Sequence, residues 1–202
     1  MDSNKKRARD NEMAVLQAVG LVGWLSTSQV GQWVWGSDNA RSARVSAEKV
    51  LKRLQAGGYV MRRESDAGVF VYVLTKAGAL RANEGVKVEL FKDGYDLSQL
   101  DVYRQRVAVD YLIAQHQAGR TVLGAAGVRK GCAEGVLKAG VLKGADGLVL
   151  DNESGLQKAV LVVRNLHPGL VKKAKRLKKG VGELELLGEA GLLKHFRREM
   201  GR

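Results

Sequence analysis

Apolar residues near the start of the chain recur every three or four positions, which is the period of an amphipathic helix. Within residues 11–22 the repeating positions are Met13, Leu16, Val19 and Val22. Residues 26–36 repeat the pattern, starting with hydroxyl side chains suited to an N-cap and ending at a glycine. The pattern therefore predicts two helices, and Ser26 or Thr27 would cap the second.

The period changes from helical to extended between residues 37 and 75. The helical part has its apolar face on Ala43, Ala47, Val50, Leu51 and Leu54. Gly57 and Gly58 end this helix, because glycine adopts the left-handed C-cap conformation without steric cost. Two β-rich runs, 59–61 and 69–73, then flank the polar segment RRESDAG, which predicts a hairpin. Three helices followed by such a hairpin are typical of a winged helix-turn-helix.

A second domain is predicted after residues 83–97, where glycine and charge mix as in a linker. A helix capped by Ser98 and stopped by Gly119 opens this domain. DGLVLD and LQKAVLVVRNL, joined by NESG, predict a hairpin, and a basic helix, a short strand and a last helix follow. TVLGAAGVRKG and AEGVLKAGVLKG remain ambiguous. The chain is thus predicted to be α+β, with a winged helix-turn-helix in residues 1–82 and a small α/β domain in residues 98–202.

The chain has a formal net charge of +13 and a pI of about 10.0. This balance indicates a polyanionic partner, most often nucleic acid. Cys132 is the only cysteine, which excludes an internal disulfide and a Cys-rich zinc site and favours a cytoplasmic location. No apolar run is long enough for a membrane span, so we expect no membrane partner. The N-terminus MDSNKKRARDNE lacks the apolar segment of a secretion signal and is expected to be a flexible basic arm.

In a winged helix-turn-helix, the third helix would enter the major groove of double-stranded DNA. Arginine can bind guanine through two hydrogen bonds, and serine can pair with several bases. We therefore expect contacts from this helix at Arg41, Ser42, Arg44, Ser46, Lys49, Lys52 and Arg53. The hairpin would place Arg62, Arg63 and its tip, residues 64–68, along a neighbouring groove or backbone. Lys76 and Arg81 would add phosphate contacts.

Pro168, the only proline, precedes the basic helix of the second domain. Six of the eight residues 172–179 are Lys or Arg and none is acidic, whereas a solvated face usually mixes both signs of charge. We expect this helix to contact phosphates through Lys172, Lys173, Lys175, Arg176 and Lys179.

Three tryptophans, Trp24, Trp33 and Trp35, lie within twelve residues. Tryptophan can stack on bases, but it packs more often in a core or an interface. We expect packing here, with Trp35 the most exposed of the three.

The sequence offers little support for catalysis. The three histidines lack metal-ligand spacing, and no G-x-x-x-x-G-K-[ST] phosphate loop is present. Asp146 stands where nucleases of the restriction-endonuclease-like fold carry a metal-binding aspartate. The corresponding positions on the next strand read Val162-Val163-Arg164, or nearby Val160-Leu161-Val162, without a second carboxylate. A metal would then have too few oxygen ligands. We therefore expect Asp146 to be a turn residue, and we expect no metal, no cofactor and no enzyme activity.

The motifs STSQVGQWVWG, AEKVLKRLQAGGYVMRR and VYVLTKAG resemble those of winged-helix replication-relaxation and plasmid mobilisation accessory proteins. GADGLVLDNESG and AVLVVRN, with the lysine-rich helix, are similar to the degenerate nuclease-like domains that follow such winged helices. The resemblance implies a double-stranded DNA-binding accessory protein of a plasmid or mobile element. Such a protein would help a relaxase or replication protein at a transfer origin, or repress its own operon.

Two other functions stay open on the sequence. A metal-dependent nuclease targeted by the winged helix would need Asp146 for cleavage. A protein-interaction scaffold would use the winged helix as a docking surface. A homodimer is compatible with either DNA-binding function, because helix-turn-helix proteins often bind paired half-sites.

Overall fold

The computed structural model is α+β, and the residues it describes are 2–36, 38–65, 68–84, 102–133, 135, 137–151 and 157–201. The chain forms two compact units, Met1–Leu100 and Asp101–Arg202. Each unit has its own core, in which Leu51 and Leu161, respectively, are completely buried. None of the described helices combines the length and the apolar character that crossing a bilayer requires.

Three helices open the first unit: α1 (Asp2–Val22), α2 (Thr27–Trp35) and α3 (Ala40–Ala56). The sequence predicts all three, and Ser26 is the residue that caps α2. The expectation of a flexible basic arm is wrong for residues 2–10, because they form the first turns of α1. The side chains of residues 3–10 are mostly exposed and most of these residues are polar, so no apolar period signals the helix.

A two-stranded antiparallel hairpin follows α3 and consists of β1 (Val60–Glu64) and β2 (Phe70–Leu74). The sequence predicts this hairpin, but the turn is shorter than expected. Arg62, Arg63 and Glu64 belong to β1 and pair across the ladder. Strand pairing therefore continues into the polar segment, where the side chains are exposed and leave no alternating apolar pattern.

Two contacts tie the hairpin to the helices. Leu25, between α1 and α2, exchanges both backbone hydrogen bonds with Tyr72 of β2, at 2.9 and 3.2 Å. The last helix of the unit, α4 (Lys76–Ala82), is capped by Thr75. The Thr75 hydroxyl also donates to the carbonyl oxygen of Gly58 (2.6 Å), at the start of the hairpin.

The second unit alternates helices and strands along the chain. Its described elements are α5 (Val102–Gln117), β3 (Thr121–Gly124), α6 (Ala125–Ala133), α7 (Ala139–Leu142), β4 (Gly147–Leu150), β5 (Gln157–Val162), α8 (Pro168–Val181), β6 (Glu183–Leu187) and α9 (Ala190–Gly201). They form one sheet in the order β3-β4-β5-β6. β4 pairs antiparallel with both β3 and β5, and β6 runs parallel to β5 after the α8 crossover.

Most elements of the second unit are those that the sequence predicts. The predicted first helix, hairpin, basic helix, last strand and last helix are confirmed as α5, β4–β5, α8, β6 and α9. The two ambiguous glycine-rich segments form β3, α6 and α7. The predicted cap Ser98, the NESG turn and positions 85–97 of the predicted linker lie outside the described residues.

The two faces of this sheet meet different helices. Tyr111 of α5 donates its hydroxyl to Glu185 of β6 (3.5 Å). Leu184 and Leu186 alternate with that acid and therefore lie on the opposite face, beside α8 and α9. Residues 159–163 are buried throughout, because a central strand covered on both faces has apolar side chains on both.

Candidate nucleic-acid interface

In the first unit, a concave surface lies between the start of α2, one side of α3 and the hairpin. This α2–α3–hairpin cleft has a volume of about 320 Å³ and is lined by Ser26, Thr27, Ser28, Arg44, Glu48, Arg62, Phe70 and Tyr72. It unites three segments that are distant in sequence. Two arginines, four hydroxyl groups and one carboxylate give it a polar lining that can bind an anion.

A capping box fixes the start of α2 at the edge of the cleft. The Ser26 hydroxyl accepts a hydrogen bond from the Gln29 amide (3.4 Å), and the Gln29 side-chain oxygen accepts one from the Ser26 amide (3.0 Å). The first turn contains no acidic residue. The positive end of the helix dipole therefore borders the cleft, where it would stabilise a phosphate oxygen.

The cleft is shaped by a close crossing of α2 and α3. A Cβ atom on Gly31 of α2 would lie 2.9 Å from the carbonyl carbon of Ala43 and 3.0 Å from the amide nitrogen of Arg44. Only glycine permits this approach without a shift of one backbone. The crossing holds Arg44 beside the start of α2.

The contact residues predicted on α3 do not share one side of the helix. At roughly 100° per residue, Arg41, Val45 and Lys52 occupy the exposed centre, while Arg44 and Glu48 lie on the flank that lines the cleft. The other flank carries Ser42, Ser46, Lys49 and Arg53. A duplex that contacts the cleft would meet Arg44 and the exposed centre, but not this second flank.

The cleft lining does not include three other predicted cations of the first unit, Arg53, Arg81 and Lys76. Glu12 of α1 accepts from Arg53 and from Arg81, each at 3.2 Å. Arg81 also lies over the ring of Tyr59, at 4.5 Å from its centroid. Both arginines therefore hold α1 to neighbouring elements. Lys76 is exposed at the start of α4.

Strand alternation separates the two arginines predicted at the hairpin. Arg62 is opposite Tyr72 and Arg63 is opposite Val71 in the ladder, so the two arginine side chains lie on opposite faces. Arg62 lines the cleft and lies over the ring of Phe70, at 3.6 Å from its centroid. The hairpin thus contributes one of the two arginines to the cleft. Its tip at Asp66 and Ala67 lies outside the described residues.

Two apolar side chains near the cleft are exposed, and sequence reasoning missed both. Val45 on α3 is 45% exposed, and Phe70 on β2 is 46% exposed. Val45 follows Arg41 by one helical turn, so its place on the charged face of α3 was readable from the sequence. Exposed apolar groups on a DNA-facing surface can contact the methyl group of thymine.

The tryptophans pack as the sequence predicts. Trp24 and Trp33 are only 3% and 7% exposed, and Trp35 is half-buried. Trp24 and Trp33 therefore belong to the core of the first unit.

In the second unit, the predicted basic helix is α8, which begins at a well-defined cap. The Nδ1 atom of His167 accepts from the Gly169 amide (3.1 Å), and Pro168 occupies the first helical position. Ala174 and Leu177 are fully buried, so the apolar side of α8 faces the sheet.

The cations of α8 point in different directions. Lys173 packs against the turn after α7, and Arg176 donates to a carbonyl oxygen of the same turn (2.6 Å). Lys175 and Lys179 border a groove that α8 shares with β6 and α9. Lys172 is exposed between these two sets. The five predicted contacts therefore belong to a broad basic surface rather than to one row.

Asp146 joins two strands and is buried. Its amide donates to the Val160 carbonyl oxygen and its Oδ2 accepts from the Val162 amide, each at 2.8 Å. Asp146 lies in the bend that connects α7 to β4, as expected of a turn residue, and its carboxylate also extends the β4–β5 ladder by one hydrogen bond. Within the part of the chain that the structure describes, no group of three His, Cys, Asp or Glu side chains could hold a metal ion.

The pKa values of Tyr111, His116 and Cys132, in the second unit, are shifted from their usual values. Burial, together with repulsion from Glu185, raises the pKa of Tyr111 to about 12. Burial lowers the pKa of His116 and raises that of Cys132. In each case burial disfavours the charged form. None of the three lines the cleft, so the shifts concern the packing of the second unit.

No protein-family model matches the chain, and no curated protein or solved structure is significantly similar to it. The case for a function therefore depends on the cleft, the charge distribution and the sequence motifs.

Proposed function

We propose that the chain is a double-stranded DNA-binding protein whose first unit is a winged helix-turn-helix. The observation that carries this proposal is the α2–α3–hairpin cleft. It brings together the start of α2, Arg44 of α3 and Arg62 of the hairpin. A helix N-terminus and two arginine side chains can bind adjacent phosphates of one DNA strand.

The proposed docking follows from this geometry. The major groove of B-DNA is wide enough for an α-helix, and α3 would enter it with the exposed stripe of Arg41, Val45 and Lys52 towards the bases. Arg44 would reach a guanine edge or a phosphate from the cleft side of the helix. Arg62, stacked on Phe70, would lie against the backbone beside the groove.

Charge supports a nucleic-acid partner. The net charge of +13 favours fast encounter with a polyanion. Each phosphate that a cation neutralises releases counterions, so affinity should fall steeply as salt rises.

We further propose that the protein is an accessory factor of a plasmid or other mobile element, acting at a transfer origin or at its own operator. This part rests on the resemblance of the motifs at residues 26–36, 47–63 and 71–78. The mixed sheet of the second unit, with helices on both faces, is compatible with the degenerate nuclease-like domain that the resemblance implies. A relaxase or replication protein would be the protein partner.

The deciding experiment selects bound sequences from a pool of random duplexes with the full-length protein, at about 150 mM salt, where surface charges are screened as in the cell. We expect a sharp motif. Its symmetry would report whether one protomer or a homodimer occupies the site.

Two outcomes would count against this proposal. Binding without any enriched motif would mean that phosphate contacts dominate and that the protein has an architectural role. Failure to bind any duplex at this salt concentration would favour the protein-interaction scaffold.

A further inference from the structure

A second groove lies in the second unit, between α8, β6 and α9, and the proposed DNA binding does not use it. This α8–β6–α9 groove has a volume of about 560 Å³ and is lined by Lys175, Lys178, Lys179, Leu184, Leu186, Arg197, Met200 and Gly201. Apolar and cationic side chains therefore lie side by side in it, with no acidic residue among them.

The floor of the groove is aliphatic. Leu184 and Leu186 lie on the same face of β6, and Met200 of α9 closes the floor. Leu186 is 7% exposed, whereas Leu184 and Met200 are half-buried and accessible. Methionine adapts its shape to different apolar side chains, so the floor can accept an inserted aliphatic or aromatic group.

The acids of β6 are kept away from the groove by strand alternation. Lys158 of β5 forms ion pairs with Glu183 (3.2 Å) and Glu185 (3.8 Å) on the opposite face of the sheet. The groove therefore keeps its positive charge, although the strand that forms its floor contains two glutamates.

The rim carries four cations: Lys175, Lys178 and Lys179 of α8 and Arg197 of α9. All four are exposed, and among the described residues none of them forms an ion pair. Positive charge beside apolar walls attracts anionic ligands more strongly than the same charge on an open surface.

The composition of the groove favours a peptide over nucleic acid. A nucleic-acid site of this size would be expected to offer an aromatic side chain for base stacking, and no lining residue is aromatic. A duplex backbone would use the cations but would leave the aliphatic floor empty. An acidic segment with large apolar side chains would satisfy both.

We propose that the α8–β6–α9 groove binds a short acidic segment of a partner protein, with a Leu, Ile or Phe side chain on the floor and Asp or Glu side chains against the rim. The site is in the second unit and acts whether or not the first unit reads DNA. The proposal assigns Lys175, Lys178 and Lys179 of α8 to protein recognition. Lys172, Lys173 and Arg176 would then make the phosphate contacts of this helix.

The test begins with phage display of random peptides on the full-length protein. We expect enrichment of sequences that combine acidic and large apolar residues. An enriched peptide is then synthesised with a fluorescent label and titrated by anisotropy, beside a version in which serine replaces its apolar residues. The serine version should bind about tenfold more weakly or worse, because the floor would stay unfilled.

Variants of the protein locate the site. Lys178→Glu/Lys179→Glu should weaken peptide binding by about tenfold or more through charge repulsion. Lys172→Glu/Arg176→Glu makes the same change in charge on the same helix, outside the groove, and should have a much smaller effect. Met200→Ser tests the floor of the groove without changing the charge, and it should also weaken peptide binding.

Three results would overturn the inference. One is the absence of acidic–apolar enrichment. Another is equal weakening by the two double variants, which would indicate unspecific charge attraction. The third is a loss of duplex affinity in Met200→Ser with peptide binding unchanged, which would make the groove a nucleic-acid surface.

Discussion

At the scale of single residues, the side of the element on which a side chain lies decides whether it can take part in the candidate interface. Arg44 and Arg53 are exposed arginines nine positions apart on α3. Arg44 lines the cleft, whereas Arg53 binds Glu12 of α1. The same distinction separates Arg62 from its neighbour Arg63, which lies on the other face of the hairpin.

This difference predicts unequal effects of the same substitution. Arg44→Ala should weaken binding of the selected duplex by about 1–3 kcal/mol and relax the preference at one base position. Arg53→Ala, the matched control, should change affinity by less than about 0.5 kcal/mol, since it lies away from the cleft. Anisotropy titrations at one salt concentration measure both. Similar losses from the two variants would show that the cleft is not the reading surface.

A second prediction at this scale concerns the packing of α4 against the hairpin. A Cβ atom on Gly78 would overlap with the Tyr59 carbonyl oxygen, so Gly78→Ala must displace α4 or the hairpin. We expect the free energy of unfolding of the first unit to fall by about 1–3 kcal/mol. Urea denaturation measures it, with the exposed neighbour substitution Ala77→Ser as the control, expected within about 0.5 kcal/mol. A Gly78→Ala variant as stable as the wild type would contradict this close contact.

At the scale of elements, α8 shows how one helix can serve two kinds of contact. Its buried side is set by Ala174 and Leu177. Lys178 and Lys179 then border the groove with α9, whereas Lys173 packs against the turn after α7 and Lys172 lies between these two sets. A helix this rich in lysine need not present all its charge to one partner.

The two sides of α8 should differ in their salt dependence. Lys172→Gln/Lys173→Gln should lower affinity for all duplexes alike and reduce the slope of log affinity against log salt by about 1–2, since each phosphate contact contributes about 0.9. Lys178→Gln/Lys179→Gln, inside the groove, should leave the slope unchanged. Binding isotherms at several salt concentrations decide the point. If the slope is unchanged in Lys172→Gln/Lys173→Gln, these two lysines of α8 do not contact the DNA.

At the scale of the whole molecule, two units with separate cores would allow the proposed DNA recognition and the proposed accessory contacts to lie in different units. The second unit places a buried aspartate, Asp146, at the junction of β4 and β5, but this carboxylate accepts a backbone hydrogen bond from Val162. Val162 and Val163 are themselves buried. This environment favours a structural role over metal binding.

We therefore expect no cleavage of supercoiled plasmid with Mg²⁺ or Mn²⁺, either by the wild-type protein or by Asp146→Asn. Asparagine keeps an acceptor for the Val162 amide, so the variant should fold and serve as a clean comparison. Gel electrophoresis of the plasmid reads out nicking. Activity in the wild-type protein that disappears in Asp146→Asn would replace the accessory role with that of a targeted nuclease.

Much of the fold could be predicted from local patterns. Helix starts and ends depend on neighbours in sequence, as at the caps Ser26 and Thr75 and at the stop Gly57. These features and the period of the apolar residues can therefore be recognised without a structure. Residues 2–10 could not be predicted as helix, because a solvated helix needs no apolar face. The candidate contact residues could be recognised by type, as cations and serines, but they could not be assigned to one side of a helix or strand.

By itself, the sequence determined the order and type of most elements and the strong positive charge, because both follow from residue types and short spacings. Only the tertiary structure decided which cations face the cleft, which bind Glu12 and which border an apolar groove. Those outcomes depend on how closely elements approach, as at Gly31 against Ala43, and on pairing between distant segments, as between Leu25 and Tyr72. No local period encodes such distances, since they arise from packing of the whole unit.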